Sequence, residues 1–381
     1  MSWEKVKIGD HCEITSSKRI FFSEYVDSGV PFYRSKEIIE SSQGQPISEP
    51  LYISVEKFNE IKSKFGVPAP GDMLLTSVGT IGIPYIVRSD DYFYFKDGNL
   101  TWFRNFDDEL LSNYLFYWIG SKEGYGILNN TTIGSSQKAL TISSLKQLEC
   151  PLPPVEVQKR IVDILSAYDN LIKNNQKQIK LLEEAAQRLY REWFVDLRFP
   201  GYENTPIVDG VPKGWEKKKV TDLLRIRYGK DHKNLEDGFI PVYGSGGIMR
   251  KVKPILYSGE SVLIPRKGSL NNIFYVDGDF WTIDTMFYSI PLIEKIAKYA
   301  YLFLSRLDMD SFNIGAAVPS MTVNILDGID ILLPDNVTIS AFDSQVGVLF
   351  NRIELLKKQS EKTKEARDRL LPKLMSGEME V

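Results

Sequence analysis

Residues 157–193 read VQKRIVDILSAYDNLIKNNQKQIKLLEEAAQRLYREW, a run of 37 with no glycine or proline. Within it Ile161, Leu165, Tyr168, Ile172, Asn175, Ile179, Leu182, Ala186, Leu189 and Trp193 follow one another at alternating spacings of four and three. A stripe returning every 3.5 residues keeps one helix face toward a partner, so the spacing predicts a coiled-coil helix. At 1.5 Å per residue it would span about 55 Å. Pro153-Pro154 ahead of it ends a strand and suits a first helical turn, and Phe199-Pro200-Gly201 closes the element.

Working outward, the chain repeats itself. With one offset of 181 residues, Ile133-Gly134 recurs as Ile314-Gly315, Thr141 as Thr322, Leu145 as Leu326 and Leu152-Pro153 as Leu333-Pro334. The register continues through Asn170 and Asn351, Ile172 and Ile353, Gln178 and Gln359, Glu184-Ala185 and Glu365-Ala366, and Arg188-Leu189 and Arg369-Leu370. Upstream the match is looser: Trp3-Glu4-Lys5 returns as Trp215-Glu216-Lys217, and Pro31, Tyr33 and Ser35 as Pro241, Tyr243 and Ser245. Such a period is far above that of solenoid repeats and reads as a two-copy duplication, 1–204 and 205–381.

The second copy predicts its own long helix over 340–371, with the seam Phe342, Val346, Leu349, Ile353, Leu356, Ser360, Thr363, Arg367 and Leu370 and with Pro372 beyond its end. A single long helix cannot bury such a stripe alone, and the simplest partner is the other helix of the chain. An antiparallel pair places Asn175 opposite Ser360 or Thr363 as a register-fixing polar contact; the other reading puts Asn175 on a wet edge.

The parts ahead of the helices are rich in aromatics and turns, such as Pro70-Gly71-Asp72, Gly79-Thr80-Ile81-Gly82 and Gly244-Ser245-Gly246-Gly247. Short apolar runs between them (73–75, 85–87, 261–264, 273–276) read as strands, with helices near 109–119 and 293–304. The expected fold class is therefore α+β: two similar globular domains separated by two long antiparallel coiled-coil helices, pseudo-two-fold through the duplication. The boundaries are 1–152, 153–204, 205–335 and 336–381.

Two cysteines, Cys12 and Cys150, are too few for a disulfide framework, which suggests a reduced, cytoplasmic chain. The N-terminal stretch has no apolar core of a signal peptide, and no run approaches a membrane span. With only His11 and His232, a zinc site and a Ser-His-Asp triad are both unsupported, so no metal is expected. No P-loop spacing occurs, and the 244–247 glycines form a turn sooner than a dinucleotide site. No Asn-Pro-Pro or Asp-Pro-Pro followed by an aromatic offers a methyltransferase centre. A duplicated scaffold without a catalytic signature points to recognition, with no catalytic residue.

The net charge of −3 conceals a strong local asymmetry. Residues 213–267 hold 13 Lys and Arg against 6 Asp and Glu, whereas acidic residues prevail in 268–335. Phosphates attract such cations, and base edges are read by Arg, Lys, Asn and Gln. The candidate DNA-contacting residues here are Arg227, Lys230, Tyr243, Arg250, Lys251, Arg266, Lys267 and Asn271. Residues 1–150 carry 15 basic and 19 acidic groups. Their best candidates for DNA contact are Lys18, Arg19, Arg34, Lys36, Ser77 and Thr80, while Ser135 and Gln137 lie in a polar, glycine-containing segment, 131–138, that suits close approach to a backbone or a plain connecting loop equally.

Pro151-Leu152-Pro153-Pro154, leading through Glu156 and Gln158 into the long helix, resembles the central region of the specificity (S) subunits of type I restriction–modification systems. So does Trp193-Phe194-Val195-Asp196 before Phe199-Pro200-Gly201. Gly210-Val211-Pro212-Lys213-Gly214-Trp215 is similar to the opening of that family's second recognition domain, and 370–378 (LLPKLMSGE) to its ending. Two departures stand out: Val157 separates Glu156 from Gln158, and Leu333-Pro334-Asp335 replaces the double proline. The resemblance implies two target recognition domains, each reading half of a bipartite site in double-stranded DNA, with the helices as a ruler for the spacer. It also implies two DNA methyltransferase (M) subunits and restriction/translocase (R) subunits as partners. S-adenosylmethionine, ATP and Mg would sit on those partners, with no cofactor in this chain. The alternative is a non-catalytic two-headed adapter whose heads bind proteins.

Overall fold

The computed structural model describes residues 3–132, 138–312 and 320–381. The chain forms two compact units: residues 1–176 with 358–381, and residues 177–357. The long helices are Val155–Tyr190 and Asn336–Met375, and each contributes one part to each unit.

In the first unit the helices run antiparallel. Ile161 and Leu165 share a core with Leu374 and Met375, Asp169 meets Arg367, and Asn175 meets Ser360. Residue numbers rise on one helix as they fall on the other. The same holds in the second unit, where Ala186 and Tyr190 pack with Val346 and Phe342. Burial of each large apolar side chain in these seams contributes about 1.5–3 kcal/mol.

The helix ends differ from expectation in instructive ways. The first helix gives way after Tyr190 to a π-helical turn, Arg191–Val195, that drives Trp193 and Phe194 together into the core. The second begins earlier than the seam suggested because Asp335, in place of the second proline, caps it. Its carboxylate accepts the Thr338 N–H at 2.9 Å. Pro372 does not end it: the proline lies inside the last turn, and the Pro372 carbonyl still accepts the Ser376 N–H at 3.0 Å. So near a C-terminus, where the next turn is already fraying, the one lost donor is tolerated.

The duplication is visible strand by strand. Lys5–Lys7 pairs antiparallel with Glu149–Pro151, in register Lys5↔Pro151, Val6↔Cys150 and Lys7↔Glu149. Applying the two sequence offsets, 212 and 181, gives Lys217↔Leu332, Lys218↔Ile331 and Lys219↔Asp330, the register observed in the second unit. Thr141 and Thr322 cap the equivalent short helices Ile142–Lys146 and Val323–Asp327.

The larger sheets diverge. The second unit has one six-stranded sheet in the order Leu224–Tyr228, Met286–Pro291, Tyr257–Pro265, Phe274–Thr282, Asp237–Gly244, Gly247–Val252. In the first unit the strand corresponding to Phe274–Thr282 is broken into Pro84–Ile86 and Tyr94–Phe95, leaving two four-stranded sheets. A parallel pair survives in both: Phe32↔Tyr94 and Tyr33↔Phe95 in one, Val242↔Trp281 and Tyr243↔Thr282 in the other. No helix among the described residues is long and apolar enough to cross a membrane.

Candidate nucleic-acid interface

In the second unit three segments converge beside the edge strand Leu224–Tyr228. The strand alternates, burying Leu224 and exposing Arg225 and Arg227 on one face. Tyr228 follows, and the Arg266 guanidinium lies over its ring at 4.8 Å and over Phe287 at 5.2 Å. Arg266 also donates to the Asp284 carbonyl at 2.7 Å, so it braces the loop it begins. Gly268, at φ +82°, turns that loop so closely past Ser245 that a Cβ would fall 2.6 Å from the Ser245 hydroxyl oxygen. The Asn272 amide donates to the Ser245 carbonyl at 2.9 Å, joining this loop to the hairpin turn between Tyr243 and Ile248. Arg227, Lys230 and Lys267 stand exposed around this junction.

Other candidates are committed elsewhere. Asn271 donates to Asp310 at 2.9 Å and accepts the Met309 N–H at 2.7 Å, which fixes the turn before the 3-10 helix Met309–Phe312. Arg250 ties the 232–237 loop through the His232 and Leu235 carbonyls and Asp237. Lys251 is exposed on the edge strand Gly247–Val252. Tyr243 is half-buried, its ring 6.0 Å from Phe274.

In the first unit Lys18, Arg19 and Ser77 gather around residues 94–99. The Lys18 N–H donates to the Tyr94 hydroxyl at 2.6 Å, and the Lys18 ammonium lies 4.3 Å from the Phe65 ring. Burial pushes the Tyr94 phenol up, so it stays neutral at that contact. Arg19 pairs with Asp97 at 2.9 Å, Lys36 with Glu49 at 3.0 Å, and Arg34 with the buried Glu37. The Glu37 hydrogen bond raises the Arg34 guanidinium still further. Ser77 is in the core instead of on the surface, its hydroxyl shared with Thr101 at 2.7 Å and with the Leu75 carbonyl. That burial leaves Ser77 no free edge toward a ligand. Thr80 is exposed on the loop that follows. Ser135 and Gln137 lie outside the described residues.

The two sites are copies of one another, which the sequence comparison missed. The Ser77 N–H donates to the Asn99 carbonyl at 2.8 Å and its carbonyl accepts from Leu140 at 2.9 Å; Arg266 does the same with Thr285 at 2.8 Å and Met321 at 2.9 Å. Val78-Gly79-Thr80 therefore matches Lys267-Gly268-Ser269, with both glycines at positive φ, +78° and +82°. Lys18 and Lys230 are also equivalent, each just past the matched edge strands Glu13–Thr15 and Leu224–Tyr228. The shared glycine of Ser-Val-Gly-Thr and Arg-Lys-Gly-Ser was the signal available.

For a metal, one group of suitable donors exists among the described residues: His11, Asp107 and Glu109. His11 Nδ1 lies 2.8 Å from Asp107 Oδ2, while Asp107 Oδ1 accepts the N–H groups of Glu109 and Leu110. That is a capping arrangement that closes the 107–110 turn.

Residues 1–184 and 212–361 each match the type I restriction modification DNA specificity domain. The chain is 28% identical to the type I restriction enzyme MjaIX specificity subunit of Methanocaldococcus jannaschii, over 100% of this chain and 94% of that protein. It is 24% identical to the MjaVIII specificity subunit of the same organism, over 100% and 93%. The crystal structure of the type I restriction–modification S subunit from M. genitalium shares the fold, with a TM-score of 0.61 at 17% identity over 98% of this chain and 96% of that one. Two matched copies of the domain, repeating one strand register and one loop, make this chain a member of the family of type I restriction–modification specificity subunits.

Proposed function

We propose that this chain recognises a bipartite site in double-stranded DNA, one half through each unit, as the specificity subunit of a type I restriction–modification complex. The observation that carries the reading is the duplicated domain with one loop position, 78–80 and 267–269, presented twice on matched scaffolds. The differing side chains on a common frame suit two different half-sites. The exposed cations of the second unit suit phosphate oxygens, and the neighbouring tyrosines and polar loops suit base edges.

In this reading the long helices set the unspecific spacer and offer surfaces to two methyltransferase subunits and to restriction subunits. Those partners carry S-adenosylmethionine, ATP and Mg, the complex works in the cytoplasm, and this chain does no chemistry itself. Methylome sequencing of cells expressing the chain with its methyltransferase subunits tests it. A split methylated motif is expected, and exchange of residues 1–150 for those of a relative should change one half only. A continuous motif, or a change in both halves, would overturn the bipartite reading. An adapter of proteins would leave the methylome independent of this chain.

A further inference from the structure

Three of the four matched positions differ in charge between the two units, and the fourth is an exposed lysine in both. The second unit presents Arg225, Arg227, Lys230 and Lys267, all exposed and without an ion-pair partner among the described residues. The equivalent positions in the first unit are Glu13, Thr15, Lys18 and Val78. Glu13 is itself taken up by Arg104, at 2.8 Å. The other cations near the first site, Arg19, Arg34 and Lys36, already face Asp97, Glu37 and Glu49. A cation with an acidic neighbour gains less from a phosphate, because the neighbour's charge opposes the phosphate's at close range. An unpaired exposed cation keeps its full attraction and releases condensed counterions when it docks.

We propose that the edge formed by Arg225, Arg227, Lys230 and Lys267 is the chain's phosphate clamp, and that the equivalent edge of the first unit is not. Resting on the DNA-binding reading above, this means that the two half-sites are held by different forces. The second unit grips the backbone and supplies most of this chain's salt-dependent affinity. The first contributes mainly uncharged contacts and sequence selection.

The test uses the full chain co-purified with its methyltransferase subunits, a cognate duplex and an unrelated duplex of equal length. Binding is followed by fluorescence anisotropy across a salt series. The clamp variant is Arg227→Gln/Lys230→Gln/Lys267→Gln; the control is Lys18→Gln/Arg19→Gln/Lys36→Gln, which leaves the buried Arg34–Glu37 pair intact. For three lost phosphate contacts the negative slope of log affinity against log salt should shrink in magnitude by about 2.7 in the clamp variant, on both duplexes. The control should change it by less than about one. Equal slope changes in the two variants, or an unchanged slope in the clamp variant, would overturn the clamp. Because the clamp ignores sequence, the unrelated duplex tests it even if cognate and unrelated DNA bind alike, the result that would instead overturn sequence recognition. Thermal melts of both variants matching the parent would place any loss at the interface.

Discussion

The Asn175 side-chain amide, 2% exposed in the helix seam of the first unit, donates to the Ser360 hydroxyl and to the Gln359 side-chain carbonyl, each at 3.3 Å. A polar group here is satisfied only when these two helices run antiparallel in this register. A slip of one heptad would set the amide opposite Ile353 or Arg367, neither of which offers it an acceptor, and cost the unmet hydrogen bonds. Asn175→Ala should lower the unfolding free energy by about 1–2 kcal/mol in denaturant titration. A wild-type midpoint would show that the contact carries no stability.

Gln158 is more deeply engaged. Fully buried, it accepts the Leu111 N–H at 2.9 Å and donates to the Glu109 and Pro153 carbonyls at 2.7 and 2.8 Å. It therefore fastens the start of the first long helix to the segment leading into helix Ser112–Gly120. Gln158→Ala strands one N–H and two carbonyls in the interior, at about 1–3 kcal/mol for each unmet group. A clear drop in melting temperature is expected, with partial recovery in Gln158→Glu excluded because a carboxylate cannot donate to the two carbonyls. An unchanged melt in the alanine variant would contradict this role.

The helices and the duplication were legible because both are written in spacing. A 3.5-residue stripe and a constant offset of 181 survive the replacement of individual side chains. The matched loops at 78–80 and 267–269 were not legible, because the offset changes within the front parts. Lys18 and Lys230 differ by 212, whereas the bonds of Ser77 and Arg266 match at a different step. Strand lengths between them have diverged, and a nine-residue strand in one unit is two short strands in the other. Pairing was equally hidden: nothing in the spacing of Arg34 and Glu37 says that the carboxylate is buried, and nothing near Ser77 marks it as core. The charge runs located the basic segment, but only three-dimensional placement separates its free cations from braces such as Arg250 and Arg266.

The second unit contains a coupled ion cluster with a defined pH signature. Lys298 Nζ donates to Glu260 at 2.6 Å and to Asp343 at 3.0 Å, and the Tyr275 hydroxyl also donates to Glu260. Burial alone would push the Glu260 carboxyl up, but the hydrogen bonds from Lys298 and Tyr275 outweigh it and hold the group below its ordinary range. A depressed carboxyl contributes stability above its unfolded pKa, roughly 4.3, and that contribution is lost as pH falls through the lower folded value. Burial would lower the Lys298 ammonium, yet Glu260 and Asp343 raise it, so its contribution is complete below roughly pH 10.4 and fades in stronger base. Melting temperature against pH should therefore fall less steeply below pH 4 in Glu260→Gln than in the parent. Identical acid limbs would show that the cluster does not couple to folding.

Cys12 and Cys150 should be chemically silent in the folded protein. Both are buried, and burial pushes each thiol up to about 12. The reactive species is the thiolate, which is scarce at pH 8 under those conditions and shielded besides. A disulfide reagent should label neither cysteine in buffer and both in strong denaturant. Rapid labelling of either in buffer would show that its unit opens locally.

The proposed ruler gives the most direct link from sequence to specificity. A heptad inserted between Ile172 and Ile179, with a matching heptad in the second helix, keeps the seam in phase and lengthens each helix by about 10 Å. At ~3.4 Å per base pair that is about three base pairs. The methylated motif should keep both half-sites and gain three unspecified positions between them. An insertion of two residues would rotate the following seam by about 200°, turn its residues toward water and lower stability instead. A heptad variant that folds, methylates and retains the parental spacer would show that the helices do not set it.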